Sequence, residues 1–265
     1  MALELKHGSK AGAIRTQIDV LIALTVLAMH TQQGKYRWGY AWSLAEPLAM
    51  VSILALAHLV IRLISPLNMP PMLFMVLGCV PWFMFRAIMQ HTFKSLNSRR
   101  VVLGLGHVTP LDVIFSSALT EFVTYSVIMI LFLSVGVALE GNFPPRQPLG
   151  VIAMFVLAAV FGCGVGMIFA GLFRYFRPVE KTMMLINRAG IWTSGAFFVV
   201  QQLPPSTWPY LTWNPMLHVD ELMRQFWFST YQSPIANPLY ILECLVGVFT
   251  LALALERKTR SIPIQ

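Results

Sequence analysis

Six long apolar runs constrain the fold of this chain more than any other feature of its sequence. The hydrocarbon core of a bilayer is about 30 Å thick, and a helix crosses it with about 20 residues because each residue rises about 1.5 Å. Hydrophobic residues make up 57% of the 265 residues, whereas charged residues make up only 11%. This composition lies outside the range of soluble globular proteins. We therefore predict an all-α integral membrane protein with six transmembrane helices, at residues 47–64, 72–93, 111–139, 149–173, 182–200 and 239–255.

The charges outside these spans predict the orientation of the chain. Lys and Arg concentrate in cytoplasmic loops. Basic side chains precede the first span, follow the second and the fourth, and form the C-terminal tail, whereas the other connections hold few. Both termini are therefore predicted to be cytoplasmic. This topology, together with contact with anionic lipid, explains the net charge of +8 without a nucleic-acid partner.

A shorter apolar stretch, residues 20–29, precedes the first span and cannot cross a bilayer by itself. Arg15, Gln17 and Asp19 stand at its start, so we expect an amphipathic helix lying along the cytoplasmic interface. A seventh, short span is the alternative. No small-x-small site follows the stretch, so we do not expect a cleaved signal peptide.

The sequence lacks the usual motifs of nucleotide, metal and redox sites. Its three cysteines fall inside predicted spans, at a spacing that matches no zinc or redox motif. Glycines stand at 162, 164 and 166, but a dinucleotide fingerprint would need a further glycine where this chain has Phe169, and a preceding strand. Gly162 and Gly166, four residues apart in an apolar run, predict close packing of two membrane helices. We expect no catalytic residue, metal site or cofactor in this chain.

Arg86, Glu121 and Arg188 fall well inside the spans, where charge is costly unless it faces protein or water. The helical rise places these three side chains at similar depth. In one interpretation Glu121 pairs with an arginine and sets helix register. In the other, an arginine guides an anionic polymer, because guanidinium groups match carboxylates and phosphates.

Neighbours at helical spacing extend these positions into two mixed stripes. Trp82 and Gln90 stand four residues either side of Arg86, and Trp192 and Gly195 stand four and seven residues beyond Arg188. A surface that mixes aromatic and polar groups suits a sliding polymer. Core packing explains any single tryptophan equally well.

The connection between the fifth and sixth predicted spans, residues 201–237, is long, semi-apolar and rich in proline and aromatic residues. Its rings suit the membrane interface, where an apolar body and a polar edge are both accommodated. The same rings would also stack on sugars at the mouth of a channel. These aromatic residues are Trp208, Tyr210, Trp213, Trp227 and Tyr231.

Two segments carry a resemblance to a known family. Gly34-Lys-Tyr-Arg-Trp-Gly-Tyr-Ala-Trp-Ser-Leu-Ala-Glu-Pro47 precedes the first span, and Trp213-Asn-Pro-Met-Leu-His-Val-Asp-Glu-Leu-Met-Arg224 precedes the last. Both resemble signatures of ABC-2 type export permeases, above all those of capsular polysaccharide export. The resemblance implies a periplasmic re-entrant helical hairpin between spans five and six. It implies a periplasmic gate formed by Trp208, Tyr210, Trp213, Asn214, Pro215, His218, Glu221 and Arg224.

The resemblance also implies partners. It predicts a homodimer with two separate ATPase subunits, which bind ATP and Mg²⁺, and a coupling segment that contains Arg99, Arg100 and His107. It further predicts a polysaccharide co-polymerase, an outer-membrane export protein and an acidic, lipid-linked polysaccharide as substrate. The chain is then one ABC-2 domain of the bacterial inner membrane, with a cytoplasmic region at 1–46, a bundle at 47–255 and a tail at 256–265.

Other functions are left open by the residues. Permeases for O-antigen, teichoic acid or small hydrophobic drugs have similar size. A secondary transporter would need paired halves with interrupted helices, and no convincing internal repeat is present. A membrane enzyme would need a nucleophile with its base or a carboxylate cluster near one face, which the Ser, His and Asp positions do not supply.

Overall fold

The computed structural model describes residues 48, 49, 52, 53, 56, 69–98, 110–141 and 144–259. The described part is helical, with no strand among these residues. Its helices are α1 (Pro71–Ser98), α2 (Pro110–Glu140), α3 (Pro148–Phe173), α4 (Val179–Thr193), α5 (Trp208–Leu211), α6 (Pro215–Trp227) and α7 (Pro238–Thr259). Five of them begin at a proline. Proline favours a first helical position because its φ angle is already helical and that position needs no backbone N–H donor.

Four of these helices are long and apolar enough to cross a membrane. The qualifying stretches are Pro71–Ser95, Leu111–Glu140, Pro148–Phe173 and Pro238–Lys258. They confirm the second, third, fourth and sixth predicted spans, with ends that differ by a few residues. The first predicted span lies mostly outside the described residues, as do the interfacial stretch 20–29 and the segment from Gly34 to Pro47.

The fifth predicted span, residues 182–200, differs from the structure. Helix α4 starts at Val179 and ends at Thr193, which makes it 15 residues long. Gly195 follows with φ of +84°, a left-handed conformation that ends a helix readily because glycine has no Cβ. Residues 196–199 instead form a non-helical segment in which Ala196 and Val199 are buried and the two phenylalanines are half-buried, and a short 3-10 helix starts at Val200. The prediction of one continuous helix up to Val200 is therefore wrong.

Helix α1 lies at the centre of the described bundle. It packs along both α2 and α3. In the most apolar part of α1, 89% of the residues are buried, whereas in that of α7 only 17% are. The first turn of α1 is capped from α2, since the Glu140 carboxylate accepts hydrogen bonds from the amides of Met72 (2.6 Å) and Leu73 (3.1 Å). A carboxylate at this end also complements the helix dipole.

The α1 and α3 backbones approach each other at two glycines. A Cβ placed on Gly162 would lie 2.7 Å from the carbonyl oxygen of Phe85, and one on Gly166 would lie 2.7 Å from that of Met89. Contacts this short exclude any side chain. The close helix packing predicted from the four-residue glycine spacing is therefore confirmed.

Candidate functional site

Helix α6 holds a buried arginine that ties it to the turn after α4. Arg224 is completely buried, and its guanidinium donates hydrogen bonds to the carbonyls of Gly195 (2.7 Å), Ala196 (2.9 Å) and Phe198 (2.9 Å). The ring of Phe74 on α1 lies under the cation, with 4.0 Å between the guanidinium carbon and the ring centroid. These carbonyls belong to the non-helical segment, so Arg224 supplies the donors that a helix would otherwise provide.

A second buried side chain of α6 holds both flanks of the connection. Glu221 accepts a hydrogen bond from the amide of Val200 (3.1 Å) and another from the hydroxyl of Tyr231. Burial raises the pKa of the Tyr231 hydroxyl above its ordinary range, and the negative charge of Glu221 raises it further. Tyr231 therefore stays a donor, and the segments before and after α6 meet at one carboxylate.

Asp220 completes the buried cluster beside Arg224. Its side chain is completely buried, and burial raises the pKa of its carboxyl well above the ordinary value, while the nearby Arg224 charge lowers it. Burial also lowers the pKa of Arg224, and Asp220 and Glu221 counteract that effect. The positive charge of Arg224 partly offsets the desolvation of the Asp220 carboxyl. The cluster therefore fixes the position of α6 against α1 and α4.

The start of α6 is ordered by a cap and a histidine. Asn214 accepts the amide of Met216 (3.0 Å) as the N-cap, and its amide group donates to the carbonyl of Thr193 (3.0 Å). Pro215 occupies the first helical position. Asn-Pro thus joins the end of α4 to the beginning of α6.

His218 bridges the two ends of the connection one turn further along α6. Its Nε2 lies 2.7 Å from the carbonyl of Thr212, and its Nδ1 accepts the amide of Asn237 (3.2 Å). Nε2 therefore carries the proton in the neutral ring and donates to Thr212. Burial lowers the pKa of His218. A neutral imidazole is the form that satisfies both partners.

Two aromatic rings project from this polar base. Tyr210 is 76% exposed and Trp213 is 67% exposed, whereas the indole of Trp208 is anchored by hydrogen bonds to the carbonyls of Val200 and Leu203, both 3.1 Å. The hydroxyl of Tyr240 donates to the carbonyl of Trp213 (2.8 Å). We call Tyr210 and Trp213 the aromatic tip. The aromatic tip is exposed, and hydrogen bonds of Trp208 and Tyr240 fix the backbone next to it.

The other two aromatic residues of the connection do not belong to an exposed belt. Trp227 and Tyr231 are both buried in the core, against the expectation that they lie at the membrane interface. The reason is the packing of α6 against α3 and α1, which encloses the end of α6 and the residues that follow it. Aromatic composition alone did not distinguish these two rings from those of the tip.

The predicted stripe on α1 is divided between core and surface. Trp82 is buried, and its indole packs directly against Gly190 of α4. Arg86 and Gln90 are half-buried, and the guanidinium carbon of Arg86 lies 6.0 Å from the ring centroid of Phe83. Trp82 therefore serves helix packing in this arrangement and is not part of an open surface.

The predicted stripe on α4 is exposed. Arg188 lies on the exposed face, and Trp192, one turn further on, is 68% exposed and supported by the ring of Phe197 at 5.1 Å between centroids. On α2, Glu121 is buried, with its carboxylate 3.6 Å from Nδ1 of His91. Pairing of Glu121 with an arginine stays a prediction. Arg99, Arg100 and His107 lie outside the described residues.

Sequence reasoning missed Asp220 and Glu140, and it wrongly placed Gly195 on the helical face of Arg188 and Trp192, since the helix ends before the turn at Gly195. One signal was available for the first of them: Asp220 and Arg224 stand four residues apart, the spacing at which helical side chains meet. Glu140 and the amides it caps are separated by 67 and 68 positions, so no local pattern indicates that contact.

Four membrane-capable helices and a buried polar connection that carries an exposed aromatic tip are consistent with a multi-span helical membrane protein. No family model matches the chain. It is 27% identical over 237 residues to the polysialic acid transport protein KpsM of Escherichia coli, covering 89% of this chain and 91% of that protein. It is 26% identical over 253 residues to the capsule polysaccharide export inner-membrane protein CtrC of Neisseria meningitidis, covering 95% of both. The O-antigen export system permease protein RfbA of Klebsiella pneumoniae is 22% identical over 259 residues, covering 96% of this chain and 93% of that protein.

These similarities confirm the resemblance that the two sequence segments indicated. Over most of its length the chain is homologous to capsule polysaccharide export inner-membrane proteins, which are ABC-2 type permeases. The segment that carries the second motif, residues 213–224, contains Arg224, Glu221, Asn214 and His218, the residues that build the buried connection.

Proposed function

We propose that this chain is the membrane-spanning permease subunit of an ATP-driven exporter that moves capsular polysaccharide across the bacterial inner membrane. One observation carries the proposal: similarity to capsule and polysialic acid export proteins extends over about nine-tenths of both chains. Such coverage includes the spans and the polar connection together. The membrane-capable helices are consistent with the inner-membrane location of these relatives.

The proposed division of labour leaves ATP hydrolysis to separate subunits. The permease would then need only two arrangements whose balance the ATPases shift, because a ligand acts by differential affinity for two states. We assign ATPase coupling to the segment between α1 and α2, with Arg99, Arg100 and His107, on sequence grounds. We also propose that both termini lie in the cytoplasm, which would put the α4–α7 connection on the periplasmic side.

The exposed face of α4 is the part of the bundle that we propose as polymer path. Arg188 and Trp192 lie together there and offer a cation and an aromatic ring. An acidic, lipid-linked polymer matches this pair, since guanidinium groups bind carboxylates and phosphates. A second copy of the chain would face α4 and close the path, and Arg86 and Gln90 would line its side.

The aromatic tip is proposed as the periplasmic gate. Its base cannot move as a loose flap, because Arg224, Glu221 and His218 bond the connection on several sides. The two exposed rings would therefore contact the emerging polymer while α6 moves with the bundle. Export would continue towards a polysaccharide co-polymerase and an outer-membrane export protein.

An O-antigen permease is the second candidate for this site. The similarity to RfbA favours it, at lower identity than the capsule proteins but over a comparable share of the chain. The two substrates differ in charge. An acidic capsule requires the α4 cation, whereas a neutral O-antigen does not.

The proposal is tested by purifying the tagged chain in mild detergent from its native host and measuring ATPase activity and subunit ratio. We expect an ATPase in near-equal amount, and charge reversal with Arg99→Glu and Arg100→Glu should release it. Arg257→Glu, which reverses an exposed charge in the last turn of α7, is the control and should retain it. An intact chain recovered without any ATPase would support a secondary transporter instead.

The polymer path is tested separately by export. Arg188→Ala should reduce the amount of surface polymer while membrane insertion stays normal, and Lys181→Ala, an exposed cation two turns earlier on α4, is the matched control. Normal export of an acidic capsule by Arg188→Ala would contradict the assigned path.

A further inference from the structure

A long apolar groove separates α2 from α3. The two helices are consecutive in the chain but touch each other little, because α1 lies behind them and packs against both. Two cavities of about 370 Å³ and 260 Å³ occupy the gap and share Phe122. Phe115 and Val160 line the first cavity, and Leu133 and Pro148 line the second. We call this feature the α2/α3 groove.

The dimensions of the groove match the hydrocarbon layer. From Phe115 to Leu133 along α2 the helical rise gives about 27 Å, close to the thickness of a bilayer core of about 30 Å. Its lining is almost entirely apolar, and the hydroxyl of Ser126 already donates to the carbonyl of Phe122 on its own helix (2.7 Å). An empty groove would forfeit dispersion contacts along its walls. Hydrocarbon chains are the filling that this lining and depth favour.

A cation stands at one mouth of the groove. Pro145 and Pro148 line the second cavity, and the exposed side chain of Arg146 stands between them in the chain. The segment is fixed because the amide of Arg146 donates to the carbonyl of Trp227 (3.1 Å), and that of Gln147 to Phe226 (2.8 Å). A guanidinium carried on this fixed backbone, between two prolines that line an apolar slot, is suited to a phosphate with an acyl tail.

We propose that the α2/α3 groove binds an anionic phospholipid, with its phosphate at Arg146 and one acyl chain in the second cavity, between the helices. The lipid belongs to the leaflet at the Arg146 end of the bundle. No residue of α4 lines the groove, so this site is distinct from the proposed polymer path. The bound chain supplies the packing that α2 and α3 do not give each other.

Native mass spectrometry of the purified chain, with whatever subunits accompany it, tests the proposal. The protein is reconstituted in nanodiscs of phosphatidylcholine and phosphatidylglycerol, and retained lipids are counted per copy. Ser126→Phe should fill the second cavity and remove one retained lipid. Val127→Phe is the matched control, since Val127 is exposed but does not line the groove. We expect it to retain the lipid count of the wild type.

The headgroup contact is tested by charge. The wild type should prefer phosphatidylglycerol, and Arg146→Gln should reduce that preference by roughly threefold to tenfold, as loss of one charge-assisted contact predicts. Lys181→Gln, at an exposed cation of α4, should not change it. Equal lipid retention by Ser126→Phe and Val127→Phe would overturn the site, as would a headgroup preference unaffected by Arg146→Gln, or retention of the polymer anchor alone. The presence or absence of a bound ATPase does not enter this readout.

Discussion

Replacing Arg224 with alanine would remove the cation that joins α6 to the turn after α4. Three backbone carbonyls would lose their donor, and the carboxyl groups of Asp220 and Glu221 would lose a nearby positive charge. A hydrogen bond from a charged group contributes about 1.5–3 kcal/mol, and leaving a buried charge uncompensated costs about 3–5 kcal/mol. We expect the free energy of unfolding to fall by about 3–5 kcal/mol, since the contributions overlap.

The thiol of Cys79 allows this loss to be measured. The thiol is completely buried on α1 and interacts electrostatically with Arg224 and Asp220. With Cys163 and Cys244 replaced by alanine, a thiol-reactive fluorophore will therefore report when this part of the bundle opens on heating. At about 2–4 °C per kcal/mol for a chain of this size, the midpoint should fall by roughly 10 °C.

Two further variants make the result specific. Arg224→Lys keeps the charge but lacks the planar fork that reaches three carbonyls, so about half of the loss is expected. Arg257→Ala removes an exposed cation from α7 and should change stability by less than about 0.5 kcal/mol. A midpoint for Arg224→Ala within about 2 °C of the wild type would refute the argument that this arginine holds the connection.

Two other perturbations follow from the structure. Gly162→Ala forces a methyl group against the Phe85 carbonyl and should destabilise the bundle by about 1–3 kcal/mol. Gly247→Ala is the control, because its methyl group meets nothing within 4 Å, and it should be neutral or slightly stabilising. Equal midpoints of the two variants in thermal unfolding would contradict the packing argument. Burial lowers the pKa of His218, so the unfolded chain binds this proton more readily and stability is lost as pH falls below about 6.5. Protonation of the His218 ring would break its hydrogen bond with the Asn237 amide, and His218→Gln has no ring to protonate. The wild type should therefore lose more thermal stability between about pH 7 and pH 5 than this variant. Equal losses would show that His218 does not titrate in this range.

Much of the architecture follows from local pattern. The apolar length of α2, α3 and α7 is enough to predict a membrane span, and the proline at the start of each helix marks its first turn. The four-residue spacing of Gly162 and Gly166 likewise indicates close packing without a known partner. These properties depend on residues that are near one another in the chain.

The fifth predicted span shows where local pattern was insufficient. Residues 196–200 are as apolar as the helix before them, yet Gly195 turns the chain and the carbonyls beyond it bond to Arg224. The arginine lies 26 to 29 positions away from those carbonyls. Hydropathy registers only that these residues avoid water, and both a helix and a packed turn satisfy that requirement.

The sequence by itself determined that the chain is suited to a lipid bilayer, which helices are long enough to cross it, and the family resemblance carried by residues 213–224. Only the tertiary structure decided which rings and charges are available for function. It placed Trp82 and Trp227 in the core and left Tyr210, Trp213 and Trp192 exposed. The reason is physical: exposure of a side chain depends on which helix packs over it, and that packing joins segments far apart in the chain.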